Sequence, residues 1–191
     1  MGTRKQQKEK RREQILAGAL ELFIRKGYAA TKISDIASHV GMSTGLMFHY
    51  FESKEKLLDA LVTSSFTNAM STFPTDCNDP LLFFENVANQ IFDELRNKTL
   101  ASKMFVLMNQ VLYSEATPQS IKDKLEDFDG ITPSIKLIQE GQTAGTIREG
   151  NPHALAVAFW CALNSIATEI ALKPETPCPE SAWIIDILKK K

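Results

Sequence analysis

The chain has 191 residues, of which 43% are hydrophobic and 24% charged, as is ordinary for a globular protein of one large domain or two small ones. No apolar run approaches the roughly 18 residues of a membrane-spanning helix, and the N-terminus lacks the apolar centre of a signal peptide, so we expect a cytoplasmic protein that contacts no membrane. The three cysteines and three histidines show no disulfide or metal-ligand spacing, so we expect no metal site and no cofactor.

The net charge of −1 conceals a division of charge along the chain. Residues 1–56 hold 11 Lys and Arg against 6 Asp and Glu, a formal charge of +5, whereas residues 57–191 hold 11 against 17, a charge of −6. A basic N-terminal part is expected if only that part of the chain meets a polyanion. The segment KQQKEKRR alone fits a solvated helix face equally well.

Helical periodicity predicts four helices in the first third of the chain. The first ends at Gly27, which suits a left-handed C-terminal cap, and Thr31 is the predicted N-cap of the second. Ser43 is the predicted N-cap of a third helix of about two turns. Ser53 is that of a fourth, which runs to about Phe73.

The third of these helices lies in the uncharged stretch STGLMFHYF, residues 43–51. One interpretation is a short buried core segment, and the other is a helix with one face in its own core and the other against a partner. At about 100° per residue, Met47 and Phe51 fall together while Gly45 and His49 fall nearly opposite. This division into two faces favours the second interpretation.

The rest of the chain shows helical periodicity without an alternating strand pattern, so an all-α fold is predicted. A loop rich in Pro, Asp and Asn is predicted in FPTDCNDP, residues 73–80. Further helices are predicted at 80–97, 100–114, 118–128, 133–141, 151–172 and 179–190.

The helix predicted at 151–172 begins with Asn151 as N-cap and Pro152 at its first position, and it is apolar nearly all round. The following SAWIIDILKKK carries another apolar stripe. Such a pair indicates a homodimer interface, with simple burial as the alternative. The candidate dimerisation residues are Phe159, Leu163, Ile166, Ile170, Trp183, Ile184 and Ile187.

Residues 15–61, ILAGALELFIRKGYAATKISDIASHVGMSTGLMFHYFESKEKLLDAL, closely resemble the helix-turn-helix domain of TetR-family transcriptional regulators of the TetR/AcrR type. The landmarks LF..KGY..T, ISDIA, VGMSTGLMFHYF and SKEKLL stand in the family's order. The resemblance implies an all-α chain with a three-helix DNA-binding domain at 8–55. A larger helical ligand-binding and dimerisation domain is implied at 56–191, with about nine helices.

The resemblance further implies that STGLMFHYF is the recognition helix and enters the major groove of double-stranded operator DNA. The hydroxyl of Thr31 would lie near one phosphate and Lys54 would neutralise another. Thr44 stands where Lys, Arg or Gln is frequent and Phe48 where Tyr is frequent, so specificity is expected to depend on His49, thymine methyls and DNA shape. The implied DNA-binding residues are Thr31, Lys32, Thr44, Gly45, Leu46, Phe48, His49, Tyr50 and Lys54.

The function implied is that of a repressor released from a palindromic operator by a small hydrophobic effector. A DNA-binding protein of the same fold, regulated by a protein partner or without a small-molecule ligand, is the alternative. The chain is not expected to be an enzyme, because it has no Gly-rich phosphate loop, nucleophile elbow or HExxH motif. The candidate ligand-binding residues, each with a core role as its alternative, are Phe84, Phe92, Met104, Met108, Asn109 and Tyr113.

Overall fold

The computed structural model describes residues 4–69 and 79–190, without the side chains of residues 64–69 and 126–128. Within these ranges the chain forms ten α-helices and one 3-10 helix (Asp123–Phe128) and no strand, which confirms the predicted all-α fold. The predicted end of the fourth helix near Phe73 and most of the loop after it lie outside the described residues. The α-helices are α1 (Arg4–Lys26), α2 (Ile33–His39), α3 (Thr44–Phe48), α4 (Lys54–Ala69), α5 (Pro80–Arg96), α6 (Leu100–Leu112), α7 (Gln119–Lys122), α8 (Ile131–Ala144), α9 (Pro152–Leu172) and α10 (Ser181–Ile185).

The helices pack into two compact units. The first unit combines the described residues up to 68 with residues 107–125, and the second combines residues 69, 79–106 and 126–190. Residues 107–112 of α6 therefore group with α1 to α4. The domain boundary between residues 55 and 56 stays a prediction.

Several helix ends follow from local hydrogen bonds that the sequence predicted. Gly27 has a φ of +83° and its N–H donates to Phe23 O at 2.9 Å, which ends α1. The Oγ of Ser43 accepts from Leu46 N–H at 3.2 Å, and the Oδ1 of Asn151 accepts from Ala154 N–H at 3.1 Å. The predicted caps of α1, α3 and α9 are confirmed.

Thr31 is not the N-cap of α2, and that prediction was wrong. The N-cap is Lys32, and the Thr31 hydroxyl donates instead to Gly27 O at 2.8 Å and Leu22 O at 3.3 Å. Its side chain is 1% exposed. A threonine beside the end of α1 therefore satisfies carbonyls of α1 rather than N–H groups of α2.

The helix predicted at 179–190 is also shorter than expected, since α10 spans only Ser181–Ile185. Beyond it, Arg148 N–H donates to Leu188 O at 2.8 Å and Lys190 N–H donates to Thr146 O at 3.2 Å. These bonds form an isolated antiparallel bridge between Ile147 and Lys189. The end of the chain thus pairs with the α8–α9 connection instead of continuing as a helix.

The first unit has α1 and α2 in close approach. A Cβ added at Gly18 would lie 2.5 Å from Val40 Cγ1, so a larger residue would force Val40 to shift. Ile15, Phe23 and Ile36 are fully buried around the contact. This core supports the short α3 from behind.

The second unit is centred on α8 and α9. The rings of Phe84 and Phe159 meet edge to face with centroids 5.0 Å apart, and Trp160 Nε1 donates to Ser134 Oγ at 2.9 Å. Contrary to the expectation from sequence, α9 is long and apolar enough to cross a membrane by length and composition alone, with a mean hydropathy of 1.6. Core helices of soluble proteins have the same character.

Candidate nucleic-acid interface

Helix α3 has one buried and one exposed face, as predicted. Met47 is 0% exposed and Phe51 5% exposed, whereas Leu46 and Phe48 are 44% and 50% exposed. We call the exposed side the α3 surface, which consists of Thr44, Gly45, Leu46, Phe48 and His49, with Tyr50 half-buried at its edge.

Two buried side chains fix the orientation of this surface. Met47 and Phe51 lie on the inner side, and the guanidinium of Arg12 in α1 lies 5.1 Å from the centroid of the Phe51 ring. The helix ends at Phe48, sooner than the predicted two turns, and Tyr50 N–H and Phe51 N–H both donate to Met47 O, at 2.9 and 3.1 Å. The α3 surface is therefore a single helical turn followed by a tight turn.

The start of α2 offers a cation but not the predicted hydroxyl. The side chain of Lys32 is exposed, while its backbone N–H donates to Asp35 Oδ2 at 3.2 Å. That hydrogen bond, together with the nearby ammonium of Lys26, holds the pKa of Asp35 below its ordinary value. Because the Thr31 hydroxyl is buried and bonded to α1, it has no exposed atom with which to meet a phosphate.

Lys54 at the start of α4 has partners within the chain. Its Nζ donates to Tyr28 O at 2.8 Å and Ala29 O at 3.4 Å, and it lies 4.2 Å from the centroid of the Tyr28 ring. The hydroxyl of Tyr28 donates to Glu55 Oε1 at 3.5 Å. Burial and the Glu55 carboxylate raise the pKa of Tyr28 to about 12.

Arg11 likewise has hydrogen-bond partners within the chain. Its guanidinium donates to Val40 O at 3.5 Å and Gly41 O at 3.4 Å, where α2 ends, and to Gln14 Oε1 at 2.9 Å. Tyr28 was not among the predicted site residues, and no spacing along the chain indicates its contacts or those of Arg11. The exposed cations in the first half of α1 are Arg4, Lys5, Lys8 and Lys10. Arg25 and Lys26 at the end of α1 are also exposed, and they form ion pairs with Glu21 and Asp35.

The six candidate ligand-binding residues are divided between the two units. Phe84, Phe92 and Met104 lie in the interior of the second unit. In the first unit, Met108 is buried, Asn109 is half-buried and Tyr113 is 65% exposed. Their role in binding a ligand stays a prediction.

Most of the candidate dimerisation residues belong to the interior of the second unit. Phe159 and Leu163 are fully buried there, and Ile170 and Ile184 are nearly so. A side chain buried within its own chain cannot pack against a second chain. Trp183 is strongly exposed, and two others, Ile166 and Ile187, are half-buried.

The opposite side of α9 is the exposed one. We call it the α9 surface, and its residues recur every three or four positions without a formal charge. They are Ala154, Val157, Ala158, Cys161 and Ser165.

Comparison with known proteins places these features in a family. The model for "Bacterial regulatory proteins, tetR family" matches residues 15–61. The probable HTH-type transcriptional regulator ArpR of Pseudomonas putida is 30% identical over 186 residues, covering 90% of this chain and 85% of ArpR.

Solved structures show the same fold. MbdR from Azoarcus sp. CIB matches with a TM-score of 0.71 at 20% identity, over 92% of this chain and 95% of that one. AibR in complex with isovaleryl coenzyme A and operator DNA matches with a TM-score of 0.64 at 18% identity, over 92% and 94%. The helix-turn-helix at residues 15–61 and the identity with ArpR along nearly the whole chain show that this protein belongs to the TetR family of DNA-binding transcriptional regulators.

Proposed function

We propose that this protein is a cytoplasmic repressor that binds a palindromic operator as a homodimer and leaves it when a small hydrophobic effector binds. The observation that carries the proposal is the α3 surface, which is exposed, free of formal charge and fixed from behind by Met47 and Phe51. A protein gains nothing internally from exposing both Leu46 and Phe48. In a major groove, these side chains can contact base edges and thymine methyls.

The α3 surface reads bases mainly through apolar and imidazole groups. Leu46 and Phe48 meet thymine methyls, and His49 supplies the hydrogen-bonding group at the end of the helix. Phosphate attraction comes from Lys32 and from the exposed cations in the first half of α1. Such phosphate contacts fix the position of the protein on the duplex but do not distinguish one base sequence from another. DNA shape supplies the remainder of the specificity.

The α9 surface is the proposed homodimer contact. Its small, uncharged side chains allow two helices to approach closely. Only 28% of the most apolar 18-residue stretch of α9 is buried within one chain. A second copy would cover the rest. Two-fold symmetry then places two α3 surfaces on half-sites about one helical turn apart or slightly more.

The second unit is the proposed effector-binding part. Its interior contains Phe84, Phe92 and Met104, which suit an apolar ligand. Asn164 on α9 has a buried Oδ1 that accepts no hydrogen bond from the described residues. Such an acceptor costs about 1–3 kcal/mol, so an effector that carries both an apolar body and a hydrogen-bond donor is favoured.

The test is selection of bound duplexes from a random DNA pool at fixed salt, followed by sequencing. An enriched two-fold palindrome is the expected result. The selected operator then serves to screen apolar compounds for release, and Asn164→Leu should weaken release by compounds that carry a donor while leaving operator affinity unchanged.

The outcomes separate the proposal from its alternative. If no motif is enriched by either native or refolded protein, sequence-specific binding by the α3 surface is wrong. A different outcome is that the operator is bound tightly and is released by a protein partner but by no compound. In that case the proposed effector is wrong, and the chain is a DNA-binding protein regulated by a protein partner.

A further inference from the structure

Lys54 joins the two ends of the segment that carries the α3 surface. Its ammonium bonds to Tyr28 O and Ala29 O, which follow the end of α1, although Lys54 itself opens α4. The α2 and α3 helices lie in the chain between these points. We call the contact of Lys54 with Tyr28 and Ala29 the Lys54 clamp.

The surroundings of the clamp favour a cation held in place. Backbone carbonyl oxygens are strong hydrogen-bond acceptors for an ammonium, and the face of the Tyr28 ring adds attraction at 4.2 Å. That ring is 6% exposed and meets Phe23 edge to face at 5.3 Å, so it is itself fixed in the core. Lys54 is therefore bonded to a rigid part of the unit.

We infer that Lys54 is a positioning residue for DNA binding, which closes the α2–α3 segment into a loop of fixed geometry and thereby sets the direction of the α3 surface. The inference rests on the proposed function and replaces the expectation that Lys54 neutralises a phosphate. Two of its three N–H donors already bond to backbone carbonyls.

Lys54→Met tests this role, because methionine keeps most of the aliphatic stem and removes the charge and the donors. Lys56→Met is the matched control, since Lys56 is exposed two residues further along α4 and the charge change is identical. Affinities for the selected operator and for a scrambled duplex are measured over a salt series, and amide hydrogen exchange is measured in α2 and α3.

For a positioning residue, Lys54→Met weakens operator binding about tenfold or more. It leaves scrambled-duplex binding and the salt slope like those of Lys56→Met, and it speeds exchange in α2 and α3. Lys54→Gln, which is also neutral but keeps a donor, restores part of the operator affinity. A phosphate contact would instead weaken both duplexes alike, lower the salt slope by about 0.9 and gain nothing from glutamine.

The hydrogen exchange separates failure of this inference from failure of the proposed function. If wild-type protein selects no operator, the proposed function fails, whereas faster exchange in Lys54→Met than in Lys56→Met still supports the clamp. Unchanged exchange overturns the clamp whether or not an operator exists. Should Lys54→Met not fold, Lys54→Gln provides the same comparison.

Discussion

Gly45 is a position where the stability of the helix and the proposed fit to DNA would make opposite demands. A glycine inside a helix costs about 1 kcal/mol relative to alanine. A Cβ added at Gly45 would meet no atom of the protein within 4 Å, so internal packing does not require the glycine. Under the proposed function, the missing side chain on the α3 surface would leave room for a base or a phosphate.

Gly45→Ala should therefore raise stability and weaken binding together. We expect the free energy of unfolding to rise by up to about 1 kcal/mol while operator affinity falls about tenfold, as one steric clash or lost contact would cause. Chemical denaturation and duplex titration measure the two effects. Gln139→Ala, an exposed substitution on α8, is the control and should change neither quantity by much. An unchanged operator affinity for Gly45→Ala would show that no close approach occurs there.

At the scale of single helices, the predictions from sequence were correct where the deciding contact is local. Ser43 and Asn151 bond to N–H groups three residues further on, so their roles can be predicted from neighbouring letters. Thr31 bonds to Leu22 O, nine residues back, and so depends on how the chain folds over α1. The last helix stops early because residues 188–190 bond to residues 146–148, a contact that no periodicity indicates.

The α8–α9 contact depends on Gly130 in a way that can be tested. A Cβ at Gly130 would lie 2.4–2.7 Å from three ring atoms of Trp160, and that ring cannot easily move because its Nε1 is bonded to Ser134 Oγ. Gly130→Ala should lower the free energy of unfolding by about 1–3 kcal/mol.

Denaturation followed by tryptophan fluorescence measures the effect of Gly130→Ala. Trp183→Phe, which leaves Trp160 as the only tryptophan, assigns the signal to this contact. Gly45→Ala serves as the comparison, since its Cβ meets open space. Equal stability of the two alanine variants would mean that α8 and α9 adjust without cost.

At the scale of the whole molecule, the uncertain feature was which side of α9 faces outward. Its sequence is apolar nearly all round, and periodicity gives the directions of the side chains but not which of them a neighbouring helix covers. Packing buries the stripe of Phe159 and Leu163 and leaves the α9 surface exposed. The exposure of the α3 surface was easier to predict. The N-cap Ser43 marks the start of the helix, and the stretch around it resembles the helix-turn-helix sequence of the family.

The proposed homodimer gives the last prediction, on Val157 at the centre of the α9 surface. Val157 is 37% exposed in the single chain, so Val157→Asp should leave the helical content nearly unchanged while placing two carboxylates near the two-fold axis. Sedimentation should show a shift from dimer to monomer, and operator affinity should fall because one α3 surface reads only half of the palindrome. Leu100→Asp adds the same charge at a 65% exposed position on α6 and should remain dimeric. If Val157→Asp also remained dimeric, the chains would have to meet elsewhere, and the exposed Trp183 on α10 would be the next position to substitute.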